Sequence, residues 1–165
     1  MRHDFTWLRR ESLRRHAREA GYPEEMAEEA FEVFFRARNE VELYEDVLPS
    51  LERLQRRFRL FAASNGNADL AAIGLARFFE HALAARDAGT LKPDPRIFEL
   101  LLERAGLSPA QALHVGDDAE ADVEGARRAG LTPVWVNRRG AEWPASASPP
   151  PLTVRSLTEL ADLLA

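Results

Sequence analysis

From residue 44 onward, the sequence alternates between short apolar segments typical of β-strands and segments with helical periodicity. The predicted strands lie at 58–63, 80–85, 111–116 and 132–137, with a last short one after residue 151. The predicted helices lie just before residue 58, from about Asp69, from Pro95 to Ala105, up to Ala129, and at the end of the chain. Alternating strands and helices with short connections predict a parallel sheet covered by helices on both faces, which is an α/β fold.

The first forty or so residues predict two helices and no strand. An apolar stripe runs through Phe5 and Leu8 until Gly21 stops the first helix. Pro23 opens a second helix, in which Phe31 and other apolar residues recur at helical spacing. We expect these aromatic side chains to pack in a core rather than to bind a cofactor.

The composition excludes several classes of protein. The 27 acidic residues outnumber the 22 basic ones, and at a net charge of −5 we expect no basic surface for nucleic acid or an anionic membrane. No apolar run approaches the roughly 20 residues that span a bilayer. The sequence contains no cysteine, which excludes disulfides and thiolate metal ligands and suits the reducing cytoplasm. Anionic ligands must therefore be bound by local groups.

A polar turn follows the first predicted strand. The strand FRLFAA runs into Ser64, Asn65, Gly66 and Asn67, at the end of a parallel strand where binding sites form. The serine hydroxyl and the backbone N–H groups of such a turn can bind an oxyanion or a phosphate. An ordinary strand-to-helix turn with a helix cap explains the same residues equally well.

Lys92, in the segment TLKPDPRIF, is the one lysine of this chain. Every other residue among its 22 lysines and arginines is an arginine. A compact ammonium on a flexible stem suits contact with a carboxylate or a phosphate where a planar guanidinium does not fit. A surface lysine without function is the alternative interpretation.

Three aspartates follow the strand QALHVG, in the segment GDDAEAD. Asp117 comes directly after Gly116, and Asp122 lies in or near the first turn of the next helix. A loop that turns back from strand to helix can bring both carboxylates to one point, and two such oxygen ligands suit Mg²⁺. We interpret Asp118 as a helix cap. The four histidines show no metal-ligand spacing, and we predict no role for them.

In this order, the strand ending in SNG, the lysine in LKPDP and the strand ending in GDDAEAD resemble the haloacid dehalogenase (HAD) superfamily of hydrolases over about residues 45–140. The resemblance implies a Rossmann-like three-layer parallel sheet in residues 45–165, and makes residues 1–44 the remnant of an all-helical cap. It implies a Mg²⁺-dependent phosphatase of small phosphorylated metabolites. The segments NGN and HVGDD are similar to a subgroup that acts on flavin-pathway phosphates (FMN or ribitylaminouracil phosphate).

The resemblance also implies roles for individual residues. They are, for phosphate binding, Ser64, Asn65, Gly66 and Lys92; for catalysis, Ser64 and Lys92; and for Mg²⁺, Asp117 and Asp122. In that family, the serine binds the transferring phosphoryl group with the help of backbone N–H groups, and the lysine holds both the nucleophile and the phosphate.

The sequence departs from the family at the nucleophile. The family uses an aspartate in a D-x-D-x-T type of motif after the first strand, and no such motif follows an apolar strand here. The core would then lack the strand that lies between the SNG strand and the GDD strand. Three alternatives follow. The two strands pair directly, or a segment from elsewhere fills the gap, for instance through self-association at the open sheet, or the natural polypeptide begins upstream. We predict that the chain alone is inactive, with a non-catalytic phosphate- and metal-binding remnant as the alternative function.

Overall fold

The computed structural model describes residues 3–145 and 148–164. Its helices are α1 (Phe5–Glu19), α2 (Glu25–Asn39), α3 (Val47–Leu54), α4 (Ala85–Ala88), α5 (Arg96–Ala105), α6 (Gly125–Arg128) and α7 (Leu157–Leu163). Its strands are β1 (Phe61–Ser64), β2 (His81–Ala84), β3 (Leu113–Gly116), β4 (Thr132–Val136) and β5 (Leu152–Val154). All strand pairings are parallel, which confirms the predicted α/β fold. No helix in the described ranges is long and apolar enough to cross a membrane.

Helices cover the sheets from two sides, as the Rossmann-like prediction requires. One apolar cluster joins α3 and α7 to β4 and β5, and it contains Leu54, Val134, Val136, Val154, Leu160 and Ala161. A second cluster joins β2 to α5 and α6, and it contains Leu83, Ile97, Phe98, Leu101, Ala126 and Ala129. Strand β4 is buried at four of its five positions, because helices or loops cover both of its faces.

The strands form two separate sheets rather than one. Strand β1 pairs with β2, while β3, β4 and β5 form a three-stranded sheet in that order. Of the three alternatives for the missing strand, direct pairing of the strands before SNG and GDD is therefore wrong. An apolar groove lies between them, lined by side chains that include Phe61, Ala63, Phe98, Leu101, His114 and Leu131. The Lys92 ammonium contacts both the Ala63 carbonyl and Asp122, and so occupies the space between the two strand ends.

The facing edges of β1 and β3 carry backbone groups that point away from their own sheets. The Glu80 N–H donates to the Leu60 carbonyl, so the backbone groups of Leu60 face β2 and those of the next residue, Phe61, face the groove. The Thr132 N–H donates to the Ala112 carbonyl, which places Leu113 on the groove side of β3 by the same alternation. Each strand therefore presents one edge that an additional strand could pair with.

Helices α1 and α2 pack against each other as a pair. Ala17, Ala27 and Phe31 are buried between them, and arginines of α1 form ion pairs with glutamates of α2. The assignment of residues 1–44 to a cap remnant and of 45–165 to a core stays a prediction.

The helix predicted from about Asp69 does not form. Residues 70–74 make turns, and Ala76–Phe78 makes a short 3-10 segment. The Asp69 carboxylate accepts hydrogen bonds from the Ala71 and Ala72 N–H groups, as a helix cap does. Gly74 then adopts a left-handed φ of 82°, which ends the turn before a helix can continue.

Candidate functional site

The turn after β1 closes on the Ser64 hydroxyl. Ser64 is exposed at the carboxyl end of the strand, and its Oγ accepts a hydrogen bond of 3.0 Å from the Gly66 N–H. Because Oγ accepts this bond, the hydroxyl proton is free to donate to a ligand oxygen. The Gly66 N–H predicted to assist in phosphate binding points at Ser64 in this arrangement.

Asn65 fixes the segment that carries Lys92. Its side-chain Nδ2 donates to the Lys92 carbonyl over 2.8 Å, and its Oδ1 accepts from the Lys92 N–H over 2.7 Å. This pair of bonds joins the turn after β1 to a segment 27 residues further along the chain. The side chain of Asn65 therefore positions Lys92, whereas the resemblance implied only a role in phosphate binding for this residue.

The Lys92 ammonium forms an ion pair with Asp122. Its Nζ lies 2.6 Å from Asp122 Oδ1 and 3.0 Å from the carbonyl oxygen of Ala63 in β1. Only 11% of the Lys92 side chain and 7% of the Asp122 side chain are exposed. Because water is excluded from both groups, each charge depends on the other for its compensation.

His114 is a member of this cluster that the sequence interpretation missed. Its Nε2 lies 2.9 Å from Asp122 Oδ1, and its ring meets Phe98 edge to face at a centroid distance of 4.8 Å. Strand alternation would have found it, because His114 and Gly116 point to the same face of β3 and Asp122 lies over Gly116. The spacing of the histidines indicates no metal site, and the partner of His114 is a carboxylate.

The environment of Asp122 keeps its carboxylate ionised. Burial by itself would raise the pKa of Asp122, but the hydrogen bond with His114 and the charge and hydrogen bond of Lys92 outweigh it. The pKa of Asp122 is therefore held well below its usual range. The Asp118 N–H donates to the other oxygen, Oδ2, over 3.0 Å.

Glycine is required next to this carboxylate. A Cβ atom at Gly116 would overlap the side chain of Asp122, so the strand end can approach Asp122 only without a side chain. The carboxylate of Asp118 accepts hydrogen bonds from the Glu120 and Ala121 N–H groups, which confirms the interpretation of Asp118 as a helix cap.

Asp117 lies at the carboxyl end of β3 with its side chain exposed. Its carbonyl oxygen accepts a 2.9 Å hydrogen bond from Trp135 Nε1, which fixes the backbone at this position. No hydrogen bond or ion pair engages its carboxylate within the described residues. The Asp117 carboxylate is thus available to a ligand.

The two carboxylates predicted to bind Mg²⁺ differ in how they fit an ion. Mg²⁺ keeps several water molecules and needs only one or two carboxylates, so Asp117 suits a hydrated ion. Asp122 already accepts hydrogen bonds from Lys92, His114 and Asp118. In the described ranges, no group of three acidic, histidine or cysteine side chains could hold a metal. Mg²⁺ binding by Asp117 and Asp122 stays a prediction.

The structure brings the predicted residues to the carboxyl ends of two neighbouring strands. Lys92 and Asp122 are in direct contact, and Lys92 also contacts Ala63, the residue before Ser64. Ser64 ends β1 and Asp117 follows β3, but within the described residues neither side chain forms a hydrogen bond or an ion pair with Lys92. Their assigned roles in phosphate and metal binding remain predictions.

The family follows from comparison with known proteins. A family model described as haloacid dehalogenase-like hydrolase matches residues 2–130. The chain belongs to this family. The match includes α1, α2 and the strands that present Ser64 and Asp117, so the predicted HAD superfamily is confirmed.

Two relatives of this HAD-like hydrolase are phosphatases. It is 40% identical over 126 residues, 73% of its length, to a phosphoserine phosphatase of Thermus thermophilus, of which these residues cover 51%. It is 31% identical over 138 residues, 81% of its length, to the 5-amino-6-(5-phospho-D-ribitylamino)uracil phosphatase YigB of Escherichia coli, of which they cover 58%. The chain spans about half of the length of these relatives.

A solved structure extends the likeness to the fold. The 2-haloacid dehalogenase from Pseudomonas syringae matches with a TM-score of 0.92 at 38% identity. The match covers 98% of this HAD-like hydrolase and 72% of the Pseudomonas chain.

Proposed function

We propose that this HAD-like hydrolase carries the phosphate- and Mg²⁺-binding part of a phosphatase site for small phosphorylated metabolites. The observation that carries the proposal is the position of the Lys92 ammonium, which lies between the end of β1 at Ala63 and the Asp122 carboxylate. One positive charge thereby lies at the residue before Ser64 and against the carboxylate that lies over Gly116, the residue before Asp117. The names of the phosphatase relatives support the same reaction.

The residues of this site bind and orient rather than attack. Ser64 donates a hydrogen bond to a phosphate oxygen, and Lys92 neutralises charge on the phosphate and holds an attacking carboxylate beside it. Asp117 would hold Mg²⁺, which supplies further positive charge to the phosphate when it is bound. Within the described residues no strand lies between β1 and β3, so no aspartate at the end of such a strand can act as the nucleophile. We therefore propose that the chain alone does not hydrolyse the substrate.

YigB supports a narrower proposal, a flavin-pathway phosphate as the substrate. We also propose a cytoplasmic protein, as the absence of cysteine suggests. The open edges of β1 and β3 support self-association as one way to fill the groove. If the residues at the ends of β1 and β3 bind phosphate and Mg²⁺ but no form of the protein hydrolyses a phosphomonoester, the function is that of a non-catalytic binding remnant and not of a phosphatase.

The Pseudomonas structure supports a second hydrolysis, that of a 2-haloacid. Asp117 argues against it, because a dehalogenase uses no metal and would leave this free carboxylate without a task. Release of halide from 2-chloropropionate, without release of phosphate from phosphomonoesters, would favour the dehalogenase.

We expect Ser64→Ala to weaken binding of inorganic phosphate about tenfold, the effect of losing one hydrogen bond to a charged group. NMR titration of the chain with phosphate in the presence of Mg²⁺ measures this. Ser12→Ala, which removes an exposed hydroxyl from α1, is the matched control and should leave phosphate binding unchanged. Equal phosphate affinity of Ser64→Ala and the unmodified chain would exclude the turn after β1 as the phosphate site.

We expect Asp117→Asn to weaken Mg²⁺ binding at least about tenfold, because a neutral amide replaces the carboxylate that, of the two predicted ligands, has no partner within the described residues. Isothermal titration calorimetry with MgCl₂ measures the affinity. The control is Asp118→Asn, since asparagine caps a helix as well as aspartate does and Asp118 already accepts two N–H groups. Weakening by Asp118→Asn alone would move the metal away from Asp117.

A further inference from the structure

Arg38, in the last turn of α2, faces the turn after β1. A Cβ atom at Gly66 would lie 3.6 Å from Arg38 Nη2 and 3.4 Å from Ser64 Oγ. The guanidinium and the serine hydroxyl are therefore both close to one point beside the proposed phosphate site. Lys92 contacts the residue before Ser64, whereas Arg38 lies against a residue after it.

Hydrogen bonds fix the end of α2 at this position. The Asn39 Oδ1 accepts a 2.8 Å bond from the Asp69 N–H, and the Asn39 Nδ2 donates to the Phe35 carbonyl over 2.9 Å. Asn67, in the turn after β1, donates to Thr6 Oγ1 of α1 over 3.4 Å. The helix pair is thus joined to the chain at Asn67 and Asp69, directly after Gly66, which keeps Arg38 beside the turn.

Arg38 has no partner within the described part of the chain. It forms no ion pair, no hydrogen bond and no contact with an aromatic ring, and its side chain is exposed. Other arginines of the helix pair do have partners, since Arg10 and Arg14 form ion pairs with Glu32 and Glu28. Interaction with the helix dipole explains a basic residue in the last turn, but Arg36 satisfies that need equally.

From this position we infer that Arg38 binds a second anionic group of the substrate, a carboxylate close to the phosphate. A guanidinium recognises a carboxylate through two parallel hydrogen bonds, and an unpaired one beside a phosphate site favours an anion there. The substrate class is then a phosphomonoester that carries a carboxylate a few bonds from its phosphate. This inference rests on the proposed function, because it takes the turn after β1 as the phosphate site.

Two probes that differ only in the second anion test the inference. Phosphoglycolate carries a carboxylate where ethyl phosphate carries a methyl group. In NMR titrations of the chain with Mg²⁺, we expect phosphoglycolate to bind about fivefold more tightly, as a partly exposed ion pair allows. Arg38→Gln should abolish this preference and leave ethyl phosphate binding unchanged. Arg36→Gln, which removes the same charge from the same turn of α2, should retain the preference.

Every other outcome contradicts either the inference about Arg38 or the proposed phosphate site. Equal binding of the two probes by the unmodified chain, or a preference that persists in Arg38→Gln, contradicts the inference and leaves the proposed function intact. If Arg38→Gln weakens both probes equally, Arg38 binds the phosphate itself and the second-anion site is wrong. If neither probe binds, or if both bind equally well to Ser64→Ala, the proposed phosphate site fails and the inference fails with it.

Discussion

A form of this chain extended at its amino terminus by an apolar strand that ends in D-x-D-x-T is expected to hydrolyse p-nitrophenyl phosphate, whereas the chain alone should show no turnover. The difference should be at least about a thousandfold, since Ser64 and Lys92 position a phosphate but supply no attacking oxygen. Phosphate release in the presence of Mg²⁺ measures it.

The same extension should stabilise the fold. An added strand can pair with the groove-side backbone groups of β1 and β3, which contributes about 1 kcal/mol for each hydrogen bond formed. The control is the same extension with its first aspartate changed to asparagine, which should stabilise the protein without restoring turnover. An extended form that is stably folded and inactive would support the non-catalytic remnant. Turnover by the unextended chain would show that the nucleophile is elsewhere.

Asp122→Asn is expected to lower the free energy of unfolding by about 3 to 5 kcal/mol, because it leaves the buried Lys92 ammonium without its counter-charge. Urea unfolding followed by circular dichroism measures the change. The double variant Asp122→Leu with Lys92→Met removes both charges, and should recover a large part of this loss. In contrast, Glu103→Gln removes a partner of Arg96 from an exposed ion pair, and we expect a change below about 1 kcal/mol.

The pH dependence of stability should report the same ion pair. The pKa of Asp122 is lower in the folded than in the unfolded chain, so the pair stabilises the fold above the unfolded pKa. This contribution should be lost as the pH falls below about 4, where the unfolded chain begins to bind the proton. The double variant should lose less stability than the unmodified chain over this range. Identical acid unfolding profiles would contradict a depressed pKa at Asp122.

The positions of the strands and of the polar residues after them could be predicted from local sequence. Apolar segments with helical segments between them indicate parallel strands, and residues that follow parallel strands collect at one edge of a sheet. Ser64 and Asp117 lie at strand ends for this reason, and Lys92 stood out as the one lysine in a chain rich in arginine. The helix predicted from about Asp69 does not form, because Gly74 adopts a left-handed φ that ends the turn after Asp69.

The sequence by itself determined the α/β class, the residues of the two strand ends and the absence of the motif that carries the nucleophile. The tertiary structure alone decided which charges meet. Lys92 and His114 lie 30 and 8 residues from Asp122, and it is the packing of three separate segments that makes them its partners. The same holds for the groove between β1 and β3 and for Arg38 beside Gly66, since strand pairing and contacts between helices and turns depend on segments far apart in the chain.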